Sequence, residues 1–205
     1  MKRGGWRAIE TTALSVSPRV GVLRRGLPET FSASGVPAIA PSGKIRADKR
    51  VRLKRDRMGM DITWVTDRIA VGGGIWNADN MAAIAHAGIT HIIDMQLEFD
   101  DTPLAKPLGI EVCWNPVDDD FEPKPAEVFE RGVEFALTAL EQDEAKLFIH
   151  CAAGVHRAPM MTLALLAVMG STVDDARDLI EKKRPAADFA EVYVESVEEF
   201  LKGRT

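Results

Sequence analysis

The chain has 205 residues, of which 46% are hydrophobic and 28% are charged, as is ordinary for a soluble globular protein. Two cysteines, Cys113 and Cys151, are too few for a disulfide framework, which favours a reducing, cytoplasmic setting. The longest apolar run, 158–170, is shorter than the roughly 20 residues that a membrane span needs, and no apolar signal-peptide core follows the basic N-terminus. We therefore expect no membrane span.

The net charge of −5 is divided unevenly along the chain. Residues 1–60 contain 14 Lys and Arg against 4 Asp and Glu, whereas residues 61–205 contain 12 against 27. Such asymmetry is typical of a basic tail on an acidic domain. Residues 1–57 also lack a sustained period of 2 or 3.6 residues, so we predict a basic, disordered N-terminal extension there and a folded domain over 58–205. A nucleic acid could bind only through this extension; a targeting function and a solvated tail without a partner are the alternatives.

From residue 61 onward, short β-branched runs alternate with amphipathic stretches. The sequence predicts strands at 62–66, 69–71, 89–94, 110–114 and 147–149, the first two as a strand or hairpin. It predicts helices after the cap Asn77, from Pro125 to Leu140, from Pro159, from Thr172 to Pro185, and over 192–201, with a loop around 100–107. This alternation predicts an α/β fold with three layers, α/β/α, around a mainly parallel sheet of four to five strands.

The segment 150–157 reads His-Cys-Ala-Ala-Gly-Val-His-Arg and lies between a predicted strand and a predicted helix. The unpaired N–H groups of a helix N-terminus carry a partial positive charge, which favours a thiolate at Cys151 and can bind a phosphate. Arg157 adds a planar fork that suits two phosphoryl oxygens. We therefore predict Cys151 as a nucleophile and a phosphate-binding loop of Ala152, Ala153, Gly154, Val155, His156 and Arg157.

This segment resembles the signature loop of the protein tyrosine phosphatase superfamily, and residues 62–201 are similar to a compact dual-specificity phosphatase. Four further segments also match the family and occur in the expected order along the chain: 65–72, 88–94 and 115–119 before this loop, and 183–185 after it. The resemblance implies a phosphatase fold and two-step hydrolysis of a phosphomonoester through a phosphocysteine. A carboxylic acid protonates the departing oxygen, and the carboxylate then activates water. We expect no metal and no other cofactor.

Three adjacent aspartates, Asp118, Asp119 and Asp120, compete for the role of that acid. The position two residues after Val117 in the family's loop favours Asp119, with the other two as alternatives. His150 is expected to support the loop by hydrogen bonding. The role of His156 is left open, because three interpretations fit its position: contact with the substrate, an added positive charge, or an ordinary exposed histidine.

The sequence departs from the family at Ala158, where relatives carry a Ser or Thr whose hydroxyl helps the thiolate leave the phosphocysteine. We therefore expect a slow second step, or another donor. The loop lacks lysine, so a phosphoprotein is the default substrate. The alternatives are a phospholipid, a sugar phosphate, an RNA 5′-phosphate, or a weakly catalytic phospho-binding module.

Cys113 leaves two interpretations open: a disulfide that protects Cys151, or a buried structural cysteine, which is far more common. The oligomeric state is not given by the sequence.

Overall fold

The structure is a computed structural model that describes residues 59–204, so the predicted N-terminal extension, 1–57, lies outside the described residues. Five short strands form one sheet: β1 Ile62–Trp64, β2 Ile69–Gly72, β3 His91–Asp94, β4 Glu111–Trp114 and β5 Leu147–His150. Their order is β1-β2-β5-β3-β4, with β1 antiparallel to β2 and every other pair parallel.

Within residues 59–204, six α-helices connect and cover the strands. They are α1 Ala78–His86, α2 Thr102–Ala105, α3 Ala126–Leu140, α4 Arg157–Val168, α5 Val173–Lys183 and α6 Glu191–Lys202, with a 3-10 turn at Lys106–Leu108. The side chains of Asn77 and Thr172 accept the N–H groups of Asn80 and Asp175, so both predicted caps start their helices.

Successive side chains of the central strands point to opposite faces of the sheet, and each face has its own hydrophobic core. Ile149 packs with the helices α3 to α6, whereas its neighbour Phe148 packs with Met81 and Ile84 of α1 on the opposite face. The five-stranded sheet therefore lies between two helical layers. The predicted three-layer α/β/α fold with a mainly parallel sheet is confirmed.

The structure corrects one local expectation. The predicted loop 100–107 contains α2 and the 3-10 turn, with Pro103 in the first turn of α2, where a missing N–H group costs nothing. The helix that follows the Cys151 loop, α4, begins at Arg157, and Pro159 lies in its first turn. Within residues 59–204, none of the helices combines the length and the apolar content that crossing a bilayer requires.

Because β2, β5, β3 and β4 run parallel, the segments that leave their carboxyl ends meet at one edge of the sheet. These segments are the glycines from Gly72, the loop from Cys151, the loop from Met95 and the aspartates from Asp118. The fold therefore brings the predicted nucleophile and the predicted acids to the same edge.

Candidate active site

The loop from Cys151 to His156 connects the central strand β5 to the N-terminus of the apolar helix α4. Cys151 is 1% exposed, and Arg157, at the first position of α4, is 4% exposed. Gly154 has a φ of 64°, and a Cβ atom there would lie 2.4 Å from the carbonyl oxygen of Gly72. Only glycine fits this position, because both its backbone angle and its packing exclude a side chain.

The buried guanidinium of Arg184 supports the loop from behind. Its Nε donates to the carbonyl oxygen of Gly154 at 2.7 Å, and its Nη2 donates to that of Ala153 at 3.3 Å. Two bonds to Asp61, of 2.8 and 2.5 Å, fix the guanidinium itself. Since a trans peptide unit points its C=O and its N–H in opposite directions, these bonds turn the N–H groups of Gly154 and Val155 away from Arg184, into the loop.

Arg157 is held by a carboxylate that the sequence did not single out. Its Nη1 and Nη2 donate to Glu98 at 3.1 and 3.0 Å, and Nη1 also donates to the carbonyl oxygen of Val117 at 3.2 Å. Nε has no hydrogen-bond partner among residues 59–204. The guanidinium is thus fixed by one edge, and Nε remains available for a phosphoryl oxygen.

The charges around Arg157 stabilise its cation. Burial alone would lower the pKa of Arg157, but the bonds to Glu98 and the charge of Cys151 raise it above its ordinary value. In turn, the bonds from Arg157 hold the pKa of Glu98 below its usual range. Both groups therefore keep their charges at neutral pH.

Of the three candidate acids, Asp119 is the one that faces the loop. Its Oδ1 accepts the Tyr193 hydroxyl at 3.0 Å, and its Oδ2 lies 3.1 Å from His156 Nδ1 and 3.6 Å from Arg157 Nε. Asp118 only caps the N–H of Asp119. Asp120 pairs with a lysine of its own loop, Lys124, and this bond holds its pKa below the usual range.

Phe121 closes the rim beside this carboxylate. Its ring lies edge-on to His156 at 5.1 Å and stacks on Tyr193 at 5.8 Å, and its N–H donates to the Tyr193 hydroxyl at 3.1 Å. Its φ of 59° lies in the left-handed region, which a bulky residue seldom adopts. An aromatic wall thus flanks the site on the side of α6.

With this geometry in place, comparison with family models decides the family. Residues 75–201 match the model described as the dual specificity phosphatase, catalytic domain. The chain belongs to the dual specificity phosphatase family. The predicted relationship to the protein tyrosine phosphatase superfamily is therefore confirmed.

Two curated relatives are similar to this dual specificity phosphatase domain. They are protein tyrosine phosphatase type IVA 3 of Mus musculus and of Homo sapiens, each 32% identical over 102 residues. The aligned part makes up 49% of this chain and 58% of each relative. The match thus spans little more than half the length of these relatives.

Solved structures share the fold. PTPMT1 in complex with PI(5)P has a TM-score of 0.62 at 19% identity, with 69% of this chain and 95% of that chain covered. DUSP15 has a TM-score of 0.60 at 24% identity, with 69% and 88% covered. Human DUSP28 has a TM-score of 0.60 at 17% identity, with 71% and 96% covered. At these identities the likeness shows the fold alone.

In this phosphatase domain His150 belongs to a fully buried polar cluster. Its Nε2 lies 2.8 Å from Asp101 and 3.7 Å from Asp94, at an angle to Asp101 that is unfavourable for a hydrogen bond. Burial raises the pKa of Asp94 to about 6, although His150 opposes the shift. Within residues 59–204, this is the one group of three His, Cys, Asp or Glu side chains whose potential metal ligands lie within 4.8 Å of one another. Neither ring nitrogen of His150 has a hydrogen-bond partner among residues 59–204, so the expected support of the loop by hydrogen bonding is not found; its polar contacts are with the carboxylates of Asp94 and Asp101.

Cys113 is separated from the nucleophile by a strand. It lies on β4 opposite Ile93 of β3, and Ile93 in turn lies opposite Ile149 of β5. Two strand spacings amount to roughly 9–10 Å, whereas disulfide-bonded Cα atoms lie within about 7 Å of each other. Both thiols are free, and burial raises the pKa of Cys113. A structural cysteine therefore fits Cys113, and a disulfide with Cys151 does not.

Four contributors to the site were missed from the sequence or noted without a role: Asp61, Glu98, Arg184 and Tyr193. Arg184 stands in the segment 183–185, which marked the family resemblance, but nothing there indicated contact with the loop. Glu98 belongs to no motif. Tyr193, the one tyrosine of the chain, lies on a helix that carries no other catalytic signal. The one available sign in the sequence was that Tyr193 places a hydroxyl group on a mainly apolar face of this helix.

Proposed function

We propose that this chain is a cysteine-dependent phosphomonoesterase that hydrolyses phosphotyrosine, phosphoserine or phosphothreonine in proteins through a phosphocysteine intermediate. One observation carries the proposal: Cys151 and Arg157 bracket a loop whose N–H groups face inward, and the carboxylate of Asp119 lies 3.6 Å from Arg157 Nε. Nucleophile, phosphate clamp and proton donor therefore converge on one point at the edge of the sheet. The predicted cytoplasmic location remains a prediction.

In the first step, the phosphoryl group binds to the inward N–H groups and to Arg157 Nε. The Cys151 thiolate attacks phosphorus, the S–P bond forms, and the P–O bond to the leaving group breaks. Asp119 gives its proton to the departing oxygen, a contribution that is typically worth about 10²–10⁴ in rate. The fixed guanidinium spreads the charge that develops on the phosphoryl oxygens.

In the second step, the carboxylate of Asp119 takes a proton from water. The water oxygen attacks phosphorus, the S–P bond breaks, and inorganic phosphate leaves with the Cys151 thiolate restored. The same carboxylate thus returns to its protonated form, and no cofactor enters either step.

The electrostatic surroundings favour a monoester with little additional negative charge. Glu98, Asp119 and Asp188 lie around the loop, and the loop carries no lysine. A polyanionic ligand would meet like charges there. Because PTPMT1 has been solved with PI(5)P, a soluble phosphoinositide is the alternative substrate to compare with phosphopeptides. A sugar phosphate or an RNA 5′-phosphate would be recognised at the same loop.

The proposal is tested by the hydrolysis of phenyl phosphate by the wild type, Cys151→Ser and Asp119→Asn. We expect Cys151→Ser to abolish turnover and Asp119→Asn to lower kcat by about 10²–10⁴. The matched controls are Cys113→Ser and Asp120→Asn, which remove the same groups away from the loop and should lose far less. Wild-type turnover no higher than that of Cys151→Ser would instead indicate a phospho-binding module. Phosphopeptides and a short-chain PI(5)P, compared by kcat/KM, then separate the substrate classes.

A further inference from the structure

The side chain of His156 lies between Asp119, in the loop of three aspartates, and Asp188, in the segment that precedes α6. Its Nδ1 lies 3.1 Å from Asp119 Oδ2, and its Nε2 lies 3.5 Å from Asp188 Oδ2. The imidazole is 20% exposed and the Asp119 side chain 30%, whereas Asp188 is 71% exposed. Because His156 immediately precedes Arg157, the loop itself supplies a titratable group beside the proposed acid.

One proton must lie between His156 and Asp119. At 3.1 Å, Nδ1 and Oδ2 form a hydrogen bond only if the imidazole donates to a carboxylate or a carboxyl group donates to a neutral imidazole. Asp188, at the other ring nitrogen, favours a proton on Nε2, so the proton between Nδ1 and Oδ2 is the one that the two groups can share. The hydroxyl of Tyr193 does not compete for this proton, because burial raises the pKa of Tyr193 to about 12.

From this geometry we propose that Asp119 and His156 share one proton and act as a unit, with His156 as a positioning residue that retains a proton beside the leaving group at neutral pH. The inference rests on the proposed function and extends it. At neutral pH an isolated aspartic acid has already lost its proton and has none to give to the leaving group. A neighbouring imidazole takes up protons in the neutral range, so the pair keeps a donor where a lone carboxyl group would not.

The charges that face the pair act in both directions. Arg157 Nε, at 3.6 Å, favours ionised Asp119. Asp188 and the thiolate of Cys151 favour retention of the shared proton, and the phosphoryl dianion of a bound substrate would favour it further. The pair is therefore most firmly protonated when a substrate occupies the loop, which is when the proton is needed.

The pair gives up one proton in the first step and regains one in the second, so the protons balance over the reaction. In the first step the shared proton leaves with the alcohol or phenol as the P–O bond breaks, which leaves Asp119 as a carboxylate and His156 neutral. In the second step the attacking water returns one proton to the pair as the S–P bond breaks. No other donor or acceptor is required.

The test measures the single-turnover rate constant of phenol release, which reports the first step alone, for His156→Gln from about pH 5 to about pH 8.5 with two aryl phosphates. Phenyl phosphate has a poor leaving group that needs an acid, whereas 2,4-dinitrophenyl phosphate does not. We expect this rate constant for phenyl phosphate near pH 7.5 to fall by about tenfold or more, and its decline on the alkaline side to begin at least about one pH unit lower. The dinitrophenyl ester should change little.

Tyr193→Phe is the matched control, because it removes a hydrogen bond to the same carboxylate without removing the imidazole. It should lower this rate constant without moving the alkaline decline to lower pH, and Asp188→Asn should move the decline less than His156→Gln does. An alkaline decline that stays in place in His156→Gln, or moves to higher pH, overturns the proposal. The latter result would show that an imidazolium keeps Asp119 ionised.

A second readout separates this inference from the proposed function. In the Cys151→Ser chain, which does not turn over, ¹⁵N NMR of the imidazole reports its tautomer, and His156→Gln assigns the signal among the four histidines. We expect the Nδ1 signal to change between about pH 5 and about pH 8.5, and this change to move when Asp119→Asn is added, because the two groups share the proton. An Nδ1 signal that changes at the same pH with and without Asp119→Asn contradicts the shared proton even if the wild type proves to be an active phosphatase.

Discussion

At the scale of single residues, Ala158 is the position expected to govern the breakdown of the proposed phosphocysteine. Its side chain is fully buried directly after Arg157, and the nearby hydroxyl of Thr162 is engaged, since it donates to the Ala158 carbonyl oxygen at 2.8 Å. Among residues 59–204, no hydroxyl donates to the sulfur of Cys151. In the proposed mechanism, the thiolate that leaves in the second step therefore relies on the loop N–H groups and Arg157 alone.

The substitution Ala158→Ser should accelerate that second step. A serine hydroxyl at this position could donate to the departing thiolate and stabilise it. We expect the wild type to release a burst of phenol, stoichiometric with enzyme, followed by slow turnover, and the variant to show a smaller burst and faster steady turnover. Rapid-quench measurements distinguish the two phases. Steady turnover without a burst in the wild type, little changed in the variant, would contradict a slow second step.

At the scale of elements, the loop and helix α4 form one unit, and Gly154 is its tightest point. Its positive φ alone would cost an alanine about 1–2 kcal/mol. In addition, the new Cβ atom would lie 2.4 Å from the Gly72 carbonyl oxygen and 2.5 Å from Arg184 Nη2. The backbone of β2 cannot move away without breaking its pairing with β5.

We expect Gly154→Ala to lower both stability and phosphate affinity, because the carbonyl groups held by Arg184 would be displaced. Gly109→Ala is the matched control: its φ of 68° is nearly the same, but nothing lies within 4 Å of the added Cβ. Chemical denaturation should show a loss of about 1–2 kcal/mol in the control and a larger loss in Gly154→Ala. Vanadate inhibition should weaken only in Gly154→Ala. Equal losses in both variants would mean that packing against β2 and Arg184 is unimportant.

The elements differed in how well their sequences predicted them. β5 and α4 could be placed because Leu147 to Ile149 is a short apolar run of strand length and the following helix is strongly apolar. α2 was missed because four residues are too few to show a helical period, and two prolines, Pro103 inside α2 and Pro107 in the following 3-10 turn, favour a loop in sequence-based reasoning. Short elements are determined by packing, here by the burial of Ala105.

At the scale of the whole molecule, the site depends on contacts between residues far apart in sequence. The loop residues were predictable because they are adjacent and their chemistry is written in one motif. Arg184 pairs with Asp61 across 123 positions, and Arg157 pairs with Glu98 across 59. A single sequence shows neither pairing, because both arise from the parallel sheet, which gathers separate connections at one edge.

The pairing of Asp61 with Arg184 ties the first strand of the sheet to the phosphate loop, and Asp61→Asn tests that tie. Arg184 is buried, so the loss of its charged partner should loosen its hold on the Ala153 and Gly154 carbonyl oxygens. Asp61 is half exposed, and water replaces part of the bond, so we expect the free energy of unfolding to fall by only about 1 kcal/mol. The affinity for vanadate should fall several-fold.

The matched control for this substitution is Asp67→Asn, which removes an exposed carboxylate from the turn between β1 and β2. It should leave the vanadate affinity and the free energy of unfolding as they are in the wild type. If Asp61→Asn binds vanadate as tightly as Asp67→Asn does, the loop keeps its shape without the first strand. In that case the inward orientation of its N–H groups is set locally by Gly154 and the N-terminus of α4, and the long-range tie serves only stability.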